Sequence, residues 1–85
     1  MIIKILFFAR IKEAVNYSTE EVDLPADVST IKALKNHLAM RGDTWVSLFN
    51  GKQVVRAAIN HALVDDLAVI QAGDEVAFFP PVTGG

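Results

Sequence analysis

The chain contains no cysteine. That absence excludes disulfides, thiolate-held metals, iron–sulfur clusters and a cysteine nucleophile. Histidine is scarce too: His37 and His61 are the only two, neither in a carboxylate–histidine spacing, so no metal site is expected. A basic cluster is also missing. With 8 Lys and Arg against 10 Asp and Glu, a net charge of −2 and a pI near 5.5, the composition is wrong for gripping phosphate backbones, and nucleic acid is not expected as the main partner. No apolar run approaches the length of a membrane span. Residues 1–10 have the apolar look of a leader, but Lys4 interrupts them and no small-residue cleavage site follows, so the expectation is a cytoplasmic protein without membrane association.

Eighty-five residues suffice for one small domain with a modest stability margin. Apolar side chains nevertheless make up 52% of the chain, a large share for a domain with so much surface per volume. Some of them are expected to stay exposed, and exposed apolar surface implies a partner.

Local patterns set the order of elements. Residues 2–9 are rich in Ile and Phe, and Lys4 sets their parity: Ile3, Ile5 and Phe7 face the core, whereas Lys4, Leu6 and Phe8 face away. Residues 10–15 read as a polar connection with one or two buried contacts, and Asn16 suits a left-handed position. Residues 20–24 alternate, with Val22 and Leu24 inward and Glu21 and Asp23 outward, as in a charged edge strand ended by Pro25. Ser29 or Thr30 caps a helix over residues 31–41, whose Ile31, Leu34 and Leu38 form one stripe, and Gly42 offers a left-handed stop. Trp45, Leu48 and Phe49 form a further apolar cluster about one helical turn long, and Asn50-Gly51 turns the chain. A strand over residues 54–59, a turn at Asn60-His61-Ala62 into Leu63-Val64, apolar edge-covering residues Leu67, Val69 and Ile70, a turn at Ala72-Gly73-Asp74 and a last strand over residues 75–79 complete the order. Strand, strand, helix and returning strands make an α+β chain: a ubiquitin-like β-grasp with a mixed four- to five-stranded sheet and one main helix packed across it. In that arrangement the first and last strands are parallel neighbours.

What remains is the stretch Pro80-Pro81-Val82-Thr83-Gly84-Gly85. Prolines are few, and two of them stand here, where their missing N–H groups stop a ladder and their fixed φ projects the chain as a stiff arm. Residues 1–79 are therefore expected to form the domain and residues 80–85 an extended tail, whose last five residues reach about 17 Å. Without side chains, Gly84 and Gly85 can pass down a channel too narrow for a Cβ. Strand parity places Val76 and Phe78 in the core and Phe79 on the other face, beside Phe8 and at the root of the tail. With Leu63 on a nearby turn they form an apolar patch where a solitary domain would carry polar residues.

Residues 5–10, the helix region over residues 30–38, Asn60 with Leu63-Val64, and above all residues 73–85 resemble the small subunits of molybdopterin synthase. The resemblance covers essentially the whole chain and is most specific over its last thirteen residues; Asn16, where Gly is common in that family, is a small departure. It implies that Gly85 is the working group. A ubiquitin-activating-type adenylating enzyme would spend ATP to convert the Gly85 carboxylate to an acyl-adenylate, and a persulfide sulfur donor would then leave a thiocarboxylate. The resemblance further implies that the arm Pro80, Pro81, Val82, Thr83 and Gly84 enters the large synthase subunit, which supplies the catalytic side chains, in a heterotetramer of two large and two small subunits. There the sulfur would pass to a cyclic pyranopterin precursor to build the dithiolene that later holds molybdenum. Phe8, Leu63 and Phe79 match the patch that this family turns to the activating enzyme. No cofactor is implied as permanently bound.

The same ending suits a sulfur carrier for thiamin or tRNA thiolation, a ubiquitin-like modifier joined to lysines, or an interaction module whose tail does no chemistry. Asp65-Asp66 lacks the further spaced ligands of a calcium loop. Ser29 and Thr30 lack a His–acid pair and read as capping residues.

Overall fold

β1 (Ile2–Phe7) and β5 (Glu75–Phe79) lie side by side and parallel, in the register Lys4–Glu75, Ile5–Val76, Leu6–Ala77 and Phe7–Phe78. The computed structural model describes residues 1–81. Around the central pair, β2 (Thr19–Asp23) pairs antiparallel with β1, and the hairpin β3 (Arg56–Ile59) and β4 (Ala62–Val64) completes a five-stranded sheet of order β2-β1-β5-β3-β4. This is the expected β-grasp order, with β2 as the charged edge.

One face of the sheet carries the core. Ile3, Ile5, Phe7, Val76 and Phe78 are essentially inaccessible to water, and α2 (Ile31–Ala39) lays Ile31, Leu34 and Leu38 against them. Each such side chain, taken fully out of water, contributes about 1.5–3 kcal/mol. The hydroxyl of Thr30 accepts the Ala33 N–H at 3.1 Å, so Thr30, not Ser29, is the cap.

Several expectations are corrected. Residues 10–15 are not a connection but belong to a two-turn helix, α1 (Ala9–Val15), which buries Ile11 and ends on Asn16 in the left-handed region at φ 69°. α2 stops at Ala39, two residues before the expected end, through a tight turn in which the Met40 and Arg41 N–H groups bond back to His37 and Leu38 carbonyls. Gly42 is not its stop; at φ 144° and ψ −177° it stands before the next helix, α3 (Asp43–Phe49). That helix is longer than the single turn foreseen, and it buries Leu48 and Phe49. Leu67 and Val69 do not cover the sheet edge: they are exposed, only Ile70 is buried, and Val69 reaches Thr30 through an isolated bridge. Leu63 is not on a turn but in β4, opposite Ala58.

Candidate functional site: the root of the C-terminal arm and the outer sheet face

The expected working residues Val82, Thr83, Gly84 and Gly85 lie outside the described residues. The surface from which they depart is described, and it is built in three layers.

The innermost layer is aromatic. Phe7 and Phe78 pair in register with ring centroids 6.4 Å apart. Phe49 meets Phe78 edge-on at 5.0 Å, and Trp45 and Tyr17 meet Phe7 edge-on at 5.8 and 5.6 Å. Edge-to-face packing of this kind adds to area burial and holds ring positions. The ends of β1 and β5 therefore rest on a bed of interlocked rings.

The second layer is the outer sheet face. Leu63 pairs with Ala58, Ala58 with Ala77, and Ala77 with Leu6, so one row across four strands is entirely apolar. The next row toward the arm holds Arg56 opposite Phe79, with Phe8 on the far side of Phe79 in the continued β1 register. Phe8 is 47% exposed and Leu63 62%, and Phe79 is half-buried. The structure thus brings Phe8, Phe79 and Leu63 onto one face, the two alanines making a low strip between the aromatics and Leu63. In the opposite direction, the row of Glu21, Lys4, Glu75 and Asn60 is polar. Beyond that row only Ile2, paired with Asp23, is apolar on this face of β1, so the contiguous apolar surface lies at the end of the sheet where β5 runs into Pro80.

The third layer is the junction of β1 and α1. The Phe8 N–H bonds the Phe78 carbonyl at 3.1 Å, which extends the parallel ladder by one residue. Ala9 then takes φ 53°, a left-handed value that costs an L-residue about 1–2 kcal/mol. Its reward is geometric: the chain leaves the strand at once for α1, and the Phe8 ring is left outward instead of being carried into the core.

Electrostatic order lies beside the aromatic bed. Arg41 makes a two-pronged pair with Glu20, both contacts 2.7 Å, while the Tyr17 hydroxyl donates to Glu20 at 2.7 Å and the guanidinium lies 4.7 Å from the Trp45 ring centre. The Arg41 hydrogen bonds, aided by Tyr17 and opposed by burial, hold the Glu20 carboxyl below the usual carboxylate range. Burial first, then Glu20, pushes the Tyr17 hydroxyl up. Glu20, on the charged edge strand, is thus held in a hydrogen-bonded cluster. Asp65 and Asp66 have structural partners: Asp65 accepts the Leu67 N–H, and Asp66 pairs with Lys35 at 2.7 Å. His61 stands 3.8 Å from Glu75, and no group of three or more His, Asp or Glu residues gathers in a metal-binding arrangement among the described residues.

Sequence reasoning overlooked Arg10 and Arg41. Both are charges whose partners are set by the tertiary register, and only the bulky aromatic neighbours of Arg41 offered a local signal.

The profile of the ThiS family matches residues 5–85. The chain belongs to the ThiS family. Similar proteins include those named "Molybdopterin synthase sulfur carrier subunit" from Escherichia coli, 46% identical with 98% of this chain and 99% of that protein covered, and from Haemophilus influenzae, 42% identical with the same coverage. A plant relative of the same name, from Arabidopsis thaliana, is 32% identical, with 98% of this chain and 82% of its own length covered. Among solved structures, a chain from a complex of subunits 1 and 2 of the molybdopterin-converting factor of Helicobacter pylori superposes with a TM-score of 0.67 at 26% identity, each chain covered in full. The small archaeal modifier protein 1 of Haloferax volcanii reaches a TM-score of 0.77 at 24% identity, with 95% of this chain and 98% of that one covered; at that identity it shares the fold. The ThiS-family assignment agrees with the β-grasp topology.

Proposed function

We propose that this protein is the sulfur carrier subunit of a molybdopterin synthase, acting as a co-substrate whose C-terminal glycine is loaded and unloaded by partner enzymes. The observation that supports this reading best is the pairing of a two-proline, two-glycine ending with an apolar face at its root, in a chain 46% identical to a carrier of that name.

The chemistry follows from the group at the end. A carboxylate resists nucleophiles because its charge is delocalised and oxide is a poor leaving group. An adenylating enzyme docks on Phe8, Leu63 and Phe79 and joins the Gly85 carboxylate to the α-phosphate of ATP, with pyrophosphate leaving. The terminal sulfur of a persulfide then attacks the acyl carbon, AMP departs, and a thiol reductant cleaves the resulting S–S bond and is itself oxidised to a disulfide. The thiocarboxylate of Gly85 remains. Its sulfur is the nucleophile that the large synthase subunit directs at a cyclic pyranopterin precursor; hydrolysis of the acyl–sulfur bond returns the carboxylate. Two deliveries complete one dithiolene.

The absence of cysteine gives a direct test. Protein isolated from cells with an intact cofactor pathway is treated with a thiol alkylator, and the adduct is located by fragmentation mass spectrometry. An adduct on Gly85 is expected. Its absence, even after incubation with ATP, the adenylating enzyme and a sulfur donor, overturns the carrier reading.

A further inference from the structure

The β3–β5 ladder is hydrogen-bonded at alternate pairs. Asn60 donates its N–H to the Glu75 carbonyl at 2.8 Å, so bonded pairs fall at 60–75, 58–77 and 56–79. Continuing the ladder by one more bonded pair sets Val54 opposite Pro81, whose N–H would be the donor to the Val54 carbonyl. Proline has none. The donor found at that carbonyl comes from elsewhere: Nη2 of Arg10 reaches it at 3.4 Å.

Arg10 arrives from the far side of the sheet. It stands in the first turn of α1, which follows β1, while Val54 leads into β3, and β1 and β3 are the two neighbours of β5. A side chain joining them must cross the end of β5, where Pro80 and Pro81 begin the arm. The guanidinium is only partly in water: its Nη2–Val54 contact is exposed. Its Nε is buried and is the only such side-chain nitrogen or oxygen without a hydrogen-bond partner among the described residues. Solvation alone would leave an arginine extended into water with every donor satisfied. Leaving one donor unpaired is consistent with a position set by the Val54 contact and by the left-handed Ala9 that aims the first turn of α1.

We propose that Arg10 is a positioning residue for the C-terminal arm: it supplies to the Val54 carbonyl the hydrogen bond that Pro81 cannot, and so braces the root of the arm between the ends of β1 and β3. The prolines are needed to end the ladder and stiffen the arm, and Arg10 restores the bond that this choice removes. A braced root narrows the directions in which the arm leaves, so less freedom is lost when a partner's channel takes it up.

The functional half of this inference rests on the carrier reading; the structural half does not. The test therefore reads both, in the full chain, for Arg10→Ala, Pro81→Ala and the double variant, with Arg10→Gln replacing Arg10→Ala if the alanine variant does not fold. The carbonyl carbon resonance of Val54 is expected to shift in Arg10→Ala and to return in the double variant, where residue 81 regains an N–H that becomes protected from exchange. An unshifted resonance in Arg10→Ala overturns the hydrogen bond. In ATP–pyrophosphate exchange by the adenylating enzyme, Arg10→Ala should raise KM about twofold, the factor of a long, exposed hydrogen bond at the weak end of the range, at unchanged kcat. The double variant should show no further loss beyond Pro81→Ala alone. A shifted resonance with an unchanged KM overturns the positioning role. If the parent protein is not adenylated at all, the carrier reading fails, and the inferred brace stands or falls on the Val54 resonance alone.

Discussion

Phe78 is fully buried against Phe7 and Phe49, whereas Phe79, the next residue, lies on the other side of β5 beside the half-exposed Phe8. Truncating the first ring opens a cavity in a bed that supports both central strands, and Phe78→Ala should cost about 3–5 kcal/mol, much of the stability of a small domain. Placing a charge on the outer rings is different. Phe8→Asp should change folding stability by about 1 kcal/mol, far less than Phe78→Ala, because Phe8 is already half-exposed and lies outside the core. Yet it should raise the KM for adenylation at least tenfold, as expected when an aromatic anchor is lost from an interface. Denaturant midpoints measured beside exchange kinetics separate the two; equal losses in both assays for Phe8→Asp would mean that the ring is part of the core. Residue-scale parity was legible in the sequence because Lys4 and Glu75 mark the solvent face of strands whose remaining residues are apolar. The role of Arg10 was not legible, since its partner is 44 positions away and is chosen by the register of two strands to which Arg10 does not belong.

Among the elements, the β3–β4 hairpin carries a visible cost. Its two-residue turn puts Asn60 at φ 48° and His61 at φ 73°, the pair of left-handed conformations that a tight hairpin of this twist demands. Asn tolerates such a position and His less so, and the contact of His61 with Glu75 is long and exposed. His61→Gly should therefore stabilise the protein by about 1 kcal/mol, seen as a raised Tm at neutral pH; a lowered Tm would mean that the His61–Glu75 contact outweighs the strain. The opposite edge is secured by charge. Arg41 lies just beyond α2 and ties it to Glu20 of β2, and since the Glu20 pKa is lower in the folded chain than the ordinary 4.5, this contribution is present above that pH and is lost as pH falls through the folded value. The stability difference between wild type and Glu20→Gln, about 1 kcal/mol at pH 7, should shrink as the pH drops below the ordinary 4.5 and through the lowered folded value. A difference that does not vary with pH would assign the effect to packing. The pattern of α2 was legible from its three-four stripe and its threonine cap. α1 was not: seven residues give a single fully buried position, Ile11, and its start is fixed by a left-handed Ala9 instead of a capping side chain.

On the scale of the whole molecule, the folded body and the arm answer to different demands. Among the described residues the core is closed before Pro80: the buried set ends at Phe78, and the last strand ends at Phe79. The end of the sheet at Phe79 was legible because two prolines follow it, while the strand position of Leu63 needed the β3–β4 pairing to carry it across the sheet. On the carrier reading proposed above, removing Gly84 and Gly85 leaves the described core and Phe8, Leu63 and Phe79 in place. The truncated protein should keep its Tm within about 2 °C, since the core among the described residues is closed by Phe78, and should still bind the large subunit and the adenylating enzyme through its apolar face. Acyl-adenylate formation should fall to background, and with it molybdopterin synthesis in a reconstituted system, because the carboxylate left on Thr83 is short of the chemistry by two residues, roughly 7 Å of extended chain. Such a truncation should also compete with the intact carrier for both partners, which a merely misfolded chain would not do. Unimpaired cofactor synthesis by the shortened chain would move the working group away from Gly85 altogether, and loss of both binding and folding would show that the last two residues belong to the body.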